Sequence, residues 1–131
     1  MYEFKDDFKT GIPQIDEEHK RLFEIADEIY ELKNDEFVHD KYDRIRDILD
    51  ELREYTNTHF AHEEEYMESI GYSQMFMQKV QHDALRQQMA EWDLDSLDEN
   101  QDETIDKILQ IVTDWLVAHI LGYDKHIGEG K

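Results

Sequence analysis

Cysteine is absent from this 131-residue chain. Disulfides, thiolate metal sites and cysteine nucleophiles are therefore excluded together. Proline occurs once, at position 13, and there are five glycines, at 11, 71, 122, 128 and 130. So few breakers favour long helices, and no alternating strand pattern of useful length competes. Basic residues are scarce: 14 Lys and Arg stand against 34 Asp and Glu, a formal net charge of -20. That sign argues against nucleic acid and anionic membrane as partners. No apolar run is long enough to cross a bilayer, and the opening MYEFKDDFK lacks the apolar core of a signal peptide. A cytoplasmic protein is the expectation.

What is present is periodic. Charged residues make up 37% of the chain and hydrophobic ones 39%, yet the latter fall in helical columns, which indicates a folded domain. The stretch up to Gly11-Ile12-Pro13 reads as an extended arm, and Asp16 as the cap of a helix beginning near Glu17. That helix carries His19, Leu22, Phe23, Ala26, Ile29 and Tyr30 on one side. A second, from about Lys41 to Glu68, has the seam Tyr42, Ile45, Leu49, Leu52, Thr56, His59, Glu63 and Tyr66. Gly71 ends it. A third, from about Gln74 to Trp92, has Met75, Gln78, His82, Leu85, Met89 and Trp92. Asp93 to Asp102 reads as an acidic loop. The fourth starts near Glu103 with Ile105, Ile108, Val112, Trp115, Leu116 and His119, and Gly122 disturbs or ends it. Four such helices with short connections predict an all-α, up-down-up-down antiparallel four-helix bundle with an N-terminal arm, residues 1–131 forming one domain.

The polar residues inside these seams carry the functional information. His19, His59, Glu63, Gln78, His82 and His119 all occupy apolar-stripe positions, where an unpartnered imidazole or carboxylate is costly. A single buried histidine is satisfied by an ordinary core hydrogen bond; one or more on every helix is better explained by a shared metal site. His59 and Glu63 are four apart, as are Gln78 and His82, so each pair projects from one helix face roughly 6 Å apart at Cβ. His119 and Asp124 are five apart and do not share a face unless the helix changes course, and Gly122 lies between them. Spacing alone would leave Asp124 a solvated residue. Imidazole and carboxylate without sulfur suit iron, manganese or zinc and do not resemble a calcium loop. A lone zinc would leave several of these residues idle, so the donor set points to a dinuclear iron or manganese centre.

The segments GIPQIDEEHKRLF at 11–23, HFAHEE at 59–64 and WLVAHI at 115–120, followed by Asp124, resemble bacterial hemerythrins, in order and over nearly the whole chain. The resemblance implies an oxygen-binding four-helix bundle with two non-haem irons bridged by Glu63, Asp124 and an oxo or hydroxo group. It implies that His19 and His59 serve the iron that binds oxygen and that His82 and His119 serve the other. It also makes Leu116 the apolar residue over the oxygen pocket, with Trp115 and Phe23 as further pocket candidates. One position departs: the family has histidine where this chain has Gln78, a weaker donor through its amide oxygen. That iron is left with Gln78, a water or a free position. His62 is either a replacement ligand or a partly solvated neighbour of the seam; the rest of the Glu63-Glu64-Glu65 run reads as a solvated face; His39 and His126 read as surface residues.

The implied function is reversible binding of dioxygen, or another small diatomic ligand, for carriage, storage or sensing. A monomer is expected, with a protein partner if the role is sensing. The alternatives are a diiron enzyme with ferroxidase, peroxide or nitric oxide chemistry, and a metal-stabilised bundle without oxygen chemistry. The lack of a catalytic base outside the ligand set favours binding over catalysis.

Overall fold

The computed structural model describes residues 4–35, 41–92 and 102–128. A 3-10 turn, Asp6–Phe8, precedes α1 (Pro13–Lys33), α2 (Lys41–Ile70), α3 (Met75–Ala90) and α4 (Asp102–His119); a π-helical turn, Ile120–Asp124, leads into a last helical turn, α5 (Lys125–Gly128). The four long helices form the expected up-down-up-down antiparallel bundle, α1 packing on α2 and α4, and α2 on α3. The acidic stretch 93–101 and His39 lie outside the described residues.

The start of α1 differs from the sequence expectation. The helix begins at Pro13, whose missing N–H costs nothing in the first turn, and Ile12 is the N-cap. Asp16 is not a cap. Its carboxylate accepts hydrogen bonds from Thr10 N (2.7 Å), Thr10 Oγ1 (2.8 Å) and Gly11 N (3.1 Å), tying the arm to the helix. The arm is not extended throughout: its 3-10 turn buries Phe8, which stacks on Phe23 with ring centroids 5.6 Å apart. Lys125 Nζ donates to Asp7 O at 3.0 Å and holds the arm against the C-terminal turn.

The α2–α3 corner is set by backbone chemistry. Gly71 has φ 63°, a left-handed conformation that only glycine adopts cheaply. Tyr72 N donates to Met67 O at 2.9 Å and Gly71 N to Glu68 O at 3.2 Å, the paired bonds of a Schellman cap. Met67 and Tyr72 then pack with Ile127 in a small apolar cluster. The buried seam of α2 accordingly ends on Met67, fully buried, and not on Tyr66, which is 36% exposed. Gly122 disturbs the fourth helix, as expected, without breaking it: α4 closes at His119 and the chain stays helical through Gly122 with a changed hydrogen-bond register.

The main core combines Leu22, Ile25, Ile29, Ile45, Leu49, Leu52, Ile105, Leu109, Val112, Leu116 and Ile120. Leu109, missed from the sequence seam, is fully buried. Buried Thr56 and Thr113 satisfy their hydroxyls on the carbonyls of Leu52 and Leu109, both at 2.7 Å. The polar cluster follows on from this apolar column, and the Met67–Tyr72–Ile127 group forms a separate, smaller one.

Gly71→Ala should lower stability by about 1 kcal/mol. A Cβ there meets nothing within 4 Å, so the cost is backbone strain alone. Urea unfolding of parent and variant measures it; equal midpoints would show that the corner does not depend on the left-handed glycine.

Candidate metal centre

Each helix contributes polar side chains to one buried cluster. α1 supplies His19, α2 supplies His59 and Glu63, α3 supplies Gln78 and His82, α4 supplies His119, and the π turn supplies Asp124. None of the seven is more than 3% exposed. The π turn is what admits Asp124. A register of i→i+5 inserts one extra residue per turn, which returns Asp124 to the face of His119, with Oδ1 3.2 Å from His119 Nε2.

The donor atoms fall into two sets that share both carboxylates: His19, His59, Glu63 and Asp124, and Glu63, His82, His119 and Asp124, within each of which one ligand atom per residue lies within 4.8 Å of the others. Glu63 Oε2 faces His19 Nε2 at 3.1 Å and His59 Nε2 at 2.9 Å, while Oε1 faces His82 Nε2 at 3.2 Å. Asp124 Oδ2 faces His19 Nε2 at 3.1 Å, its other oxygen facing His119. His82 Nε2 and His119 Nε2 are 3.1 Å apart. A first-row ion with bonds of roughly 2.1 Å holds adjacent ligand atoms about 3 Å apart. The cluster's spacings match the edges of two such coordination shells joined through two carboxylates.

A second test is whether the protein satisfies these groups without metal. It does not: His19 Nε2 faces both Glu63 Oε2 and Asp124 Oδ2 and can give its one hydrogen to only one of them, and His82 Nε2 and His119 Nε2 face each other at 3.1 Å. Native interiors rarely leave such groups unpaired. The residues present therefore fit a dinuclear cation centre.

Around this set lies a layer that the sequence did not reveal. Glu18 Oε1 bonds His59 Nδ1 at 2.8 Å and its Oε2 bonds His62 Nδ1 at 2.6 Å. Glu64 Oε2 bonds His82 Nδ1 at 2.8 Å and also pairs with Arg86 at 3.0 Å. Glu64 thus leaves the solvated face expected of it. A carboxylate on the outer nitrogen fixes an imidazole's tautomer and aims its Nε2 inward. The only trace of this in the sequence is position: Glu18 and Glu64 each stand next to a seam residue, His19 and Glu63. His62 is 41% exposed at its side chain and joins neither donor set.

Aromatic rings fix the remaining orientations. Phe60 stacks on His82 at 4.0 Å with an interplanar angle of 5°. Trp115 and Tyr123 stack on His119, at 4.4 and 5.1 Å respectively. Trp115 is thus a wall of the site, and Tyr123, whose direction the sequence left open, joins it. Leu116 is 2% exposed in the main core, one turn before His119. Phe23 sits in the aromatic group with Phe4 and Phe8. His126 is exposed on the last helical turn.

The electrostatics favour charge separation. Burial pushes the Glu63 carboxyl up, but the charge of His59 and hydrogen bonds from His19, His59 and His82 hold it well below its ordinary 4.5. Burial opposes protonation of His59, yet Glu63 and the Glu18 hydrogen bond push it up from 6.5 to about 10. His19 is raised in the same way, burial being outweighed by Asp124 and Glu63. The His59 contribution to metal-free stability is thus complete below its ordinary 6.5 and is lost as pH rises through about 10. The Glu63 contribution is complete above 4.5 and is lost as pH falls through its lowered value. Cations must displace the imidazole protons. Loading metal-free protein with zinc(II) at pH 7 should release about one proton or more per chain. Calorimetry in two buffers of different ionisation enthalpy measures the release; identical heats would contradict it.

Residues 10–129 match the family described as the Hemerythrin HHE cation binding domain. A relative named Bacteriohemerythrin, from Clostridium acetobutylicum, is 44% identical over 125 residues, covering 95% of this chain and 97% of that protein.

Proposed function

This chain belongs to the hemerythrin family, and from that premise we propose a non-haem diiron protein that binds dioxygen reversibly, for carriage, storage or sensing. The observation that carries the proposal is the pair of donor sets sharing Glu63 and Asp124. His19 and His59 would hold one iron, His82 and His119 the other, and the two carboxylates would bridge them with an oxo or hydroxo group. When bound, the two ferrous ions supply the electrons that dioxygen takes up and that return on its release.

The chain's own residues explain why binding is favoured over turnover. Every member of both donor sets is buried, so bulk water does not reach the centre through an open mouth. Phe60 and Trp115 add apolar surface against His82 and His119, and Leu116 is buried in the main core one turn before His119. Glu18 and Glu64 are engaged on histidine outer nitrogens and do not stand free as proton donors. A dry site with its acids occupied withholds protons from a bound ligand, and proton supply is what turns oxygen binding into oxygen reduction. No helix among the described residues is long and apolar enough to cross a membrane.

The test is anaerobic loading with ferrous iron followed by cycles of oxygen addition and removal. The expected result is two irons per chain and an optical band that appears and disappears over many cycles. One-way oxidation to a ferric product would instead support the enzymatic alternative. Leu116→Ala should speed autoxidation and lower stability by about 2–4 kcal/mol through the cavity it leaves. Autoxidation unchanged while stability falls would make Leu116 a core residue only.

A further inference from the structure

Gln78 is 1% exposed, on α3, one turn before His82. Its Nε2 donates to Asp124 Oδ1 at 3.1 Å, and its Oε1 is buried without a partner. The amide orientation follows from the chemistry of Asp124. An ionised carboxylate only accepts, and only the nitrogen end of the amide donates. Reversal would bring two oxygens together at hydrogen-bond distance. Asp124 Oδ1 is also the oxygen that faces His119 Nε2. Gln78 therefore orients the carboxylate oxygen on the side of the second donor set, with its own oxygen turned away from that contact.

The two halves of the centre are then equivalent in composition. Each has two imidazole Nε2 atoms and draws on the same two carboxylates. That fills four of the six positions of an octahedral ion, and a bridging oxo or hydroxo group fills a fifth in each half. We propose that Gln78 positions Asp124 and is not a metal ligand, and that it leaves the His82–His119 half with a position open to a small exogenous anion, as in the His19–His59 half. The inference rests on the dinuclear iron reading given above. Two further features suit it. The orphaned Oε1 offers an acceptor to a protonated ligand or to a water on the open position. A cavity of about 360 Å³ lined by Tyr72, Ser73, Gln74, Gly122, Tyr123 and His126 approaches this half. Gln74 lies one turn before Gln78, and Tyr123 stacks on His119.

The experiment titrates azide into the full chain loaded with ferric iron, after iron analysis, and reads stoichiometry from the optical charge-transfer band and from calorimetry. The parent should bind two azides per chain. Gln78→His should bind one, the new imidazole having closed the second position. Gln78→Leu, close in volume and unable to ligate, should still bind two, with iron held about tenfold more weakly because Asp124 has lost its hydrogen bond. It also keeps the test valid if the histidine variant does not fold. One azide in the parent, rising to two in Gln78→Leu, would show that Gln78 occupies the position and would overturn the inference. One azide in the parent and in every variant would overturn it as well. One iron per chain would overturn the dinuclear reading itself, an outcome the iron analysis separates from the azide count.

Discussion

The structure turns on two carboxylates, Glu63 and Asp124, each shared between imidazoles from different helices inside a core that excludes water. Removing a carboxylate from water costs several kcal/mol even after relaxation. Two of them side by side add mutual repulsion. They are tolerable only because positive charge is brought to them, as imidazolium in the metal-free chain and as cations in the loaded one. The raised His59 and lowered Glu63 show the first state; the single Nε2 position of His19, faced by an oxygen of each carboxylate, shows that it does not satisfy every group. Family membership and the donor geometry agree on what completes it.

The rest of the fold serves that arrangement. The Schellman cap at Gly71 reverses the chain so that α3 can set His82 against Glu63. The π turn rotates Asp124 onto His119. Glu18 and Glu64 aim His59 and His82 through their outer nitrogens, and flat stacking on Phe60 and Trp115 fixes the ring planes of His82 and His119. The arm, pinned by Asp16, Lys125 and the Phe8–Phe23 stack, closes over the main core.

Much of this was legible in the sequence because burial imposes periodicity. Polar residues at apolar positions on four helices announced a metal site, and His59, Glu63 and His82 stood out by spacing. Asp124 did not. A five-residue step points away from His119 in an α-helix, and only the family resemblance supplied it; the π turn gives the physical reason. Asp16 was misread because its oxygens cap arm amides and not helix amides. Tyr66 was misplaced because a strict three-four alternation drifts off a 30-residue helix, which buries Met67 instead. Glu18 and Glu64 escaped notice because acids beside a seam look like any others in a chain of net charge -20; their role lies in tertiary contacts.

The central claim is that these polar groups are kept in the core to hold two metal ions. Thermal unfolding of metal-free protein against added ferrous iron, under strict anaerobiosis, tests it most directly, because binding to the native state alone raises its stability by mass action. The account predicts a melting temperature that rises steeply until two equivalents are bound, then only slowly with the free iron concentration. A break at one equivalent, or a melting temperature indifferent to iron, would contradict it.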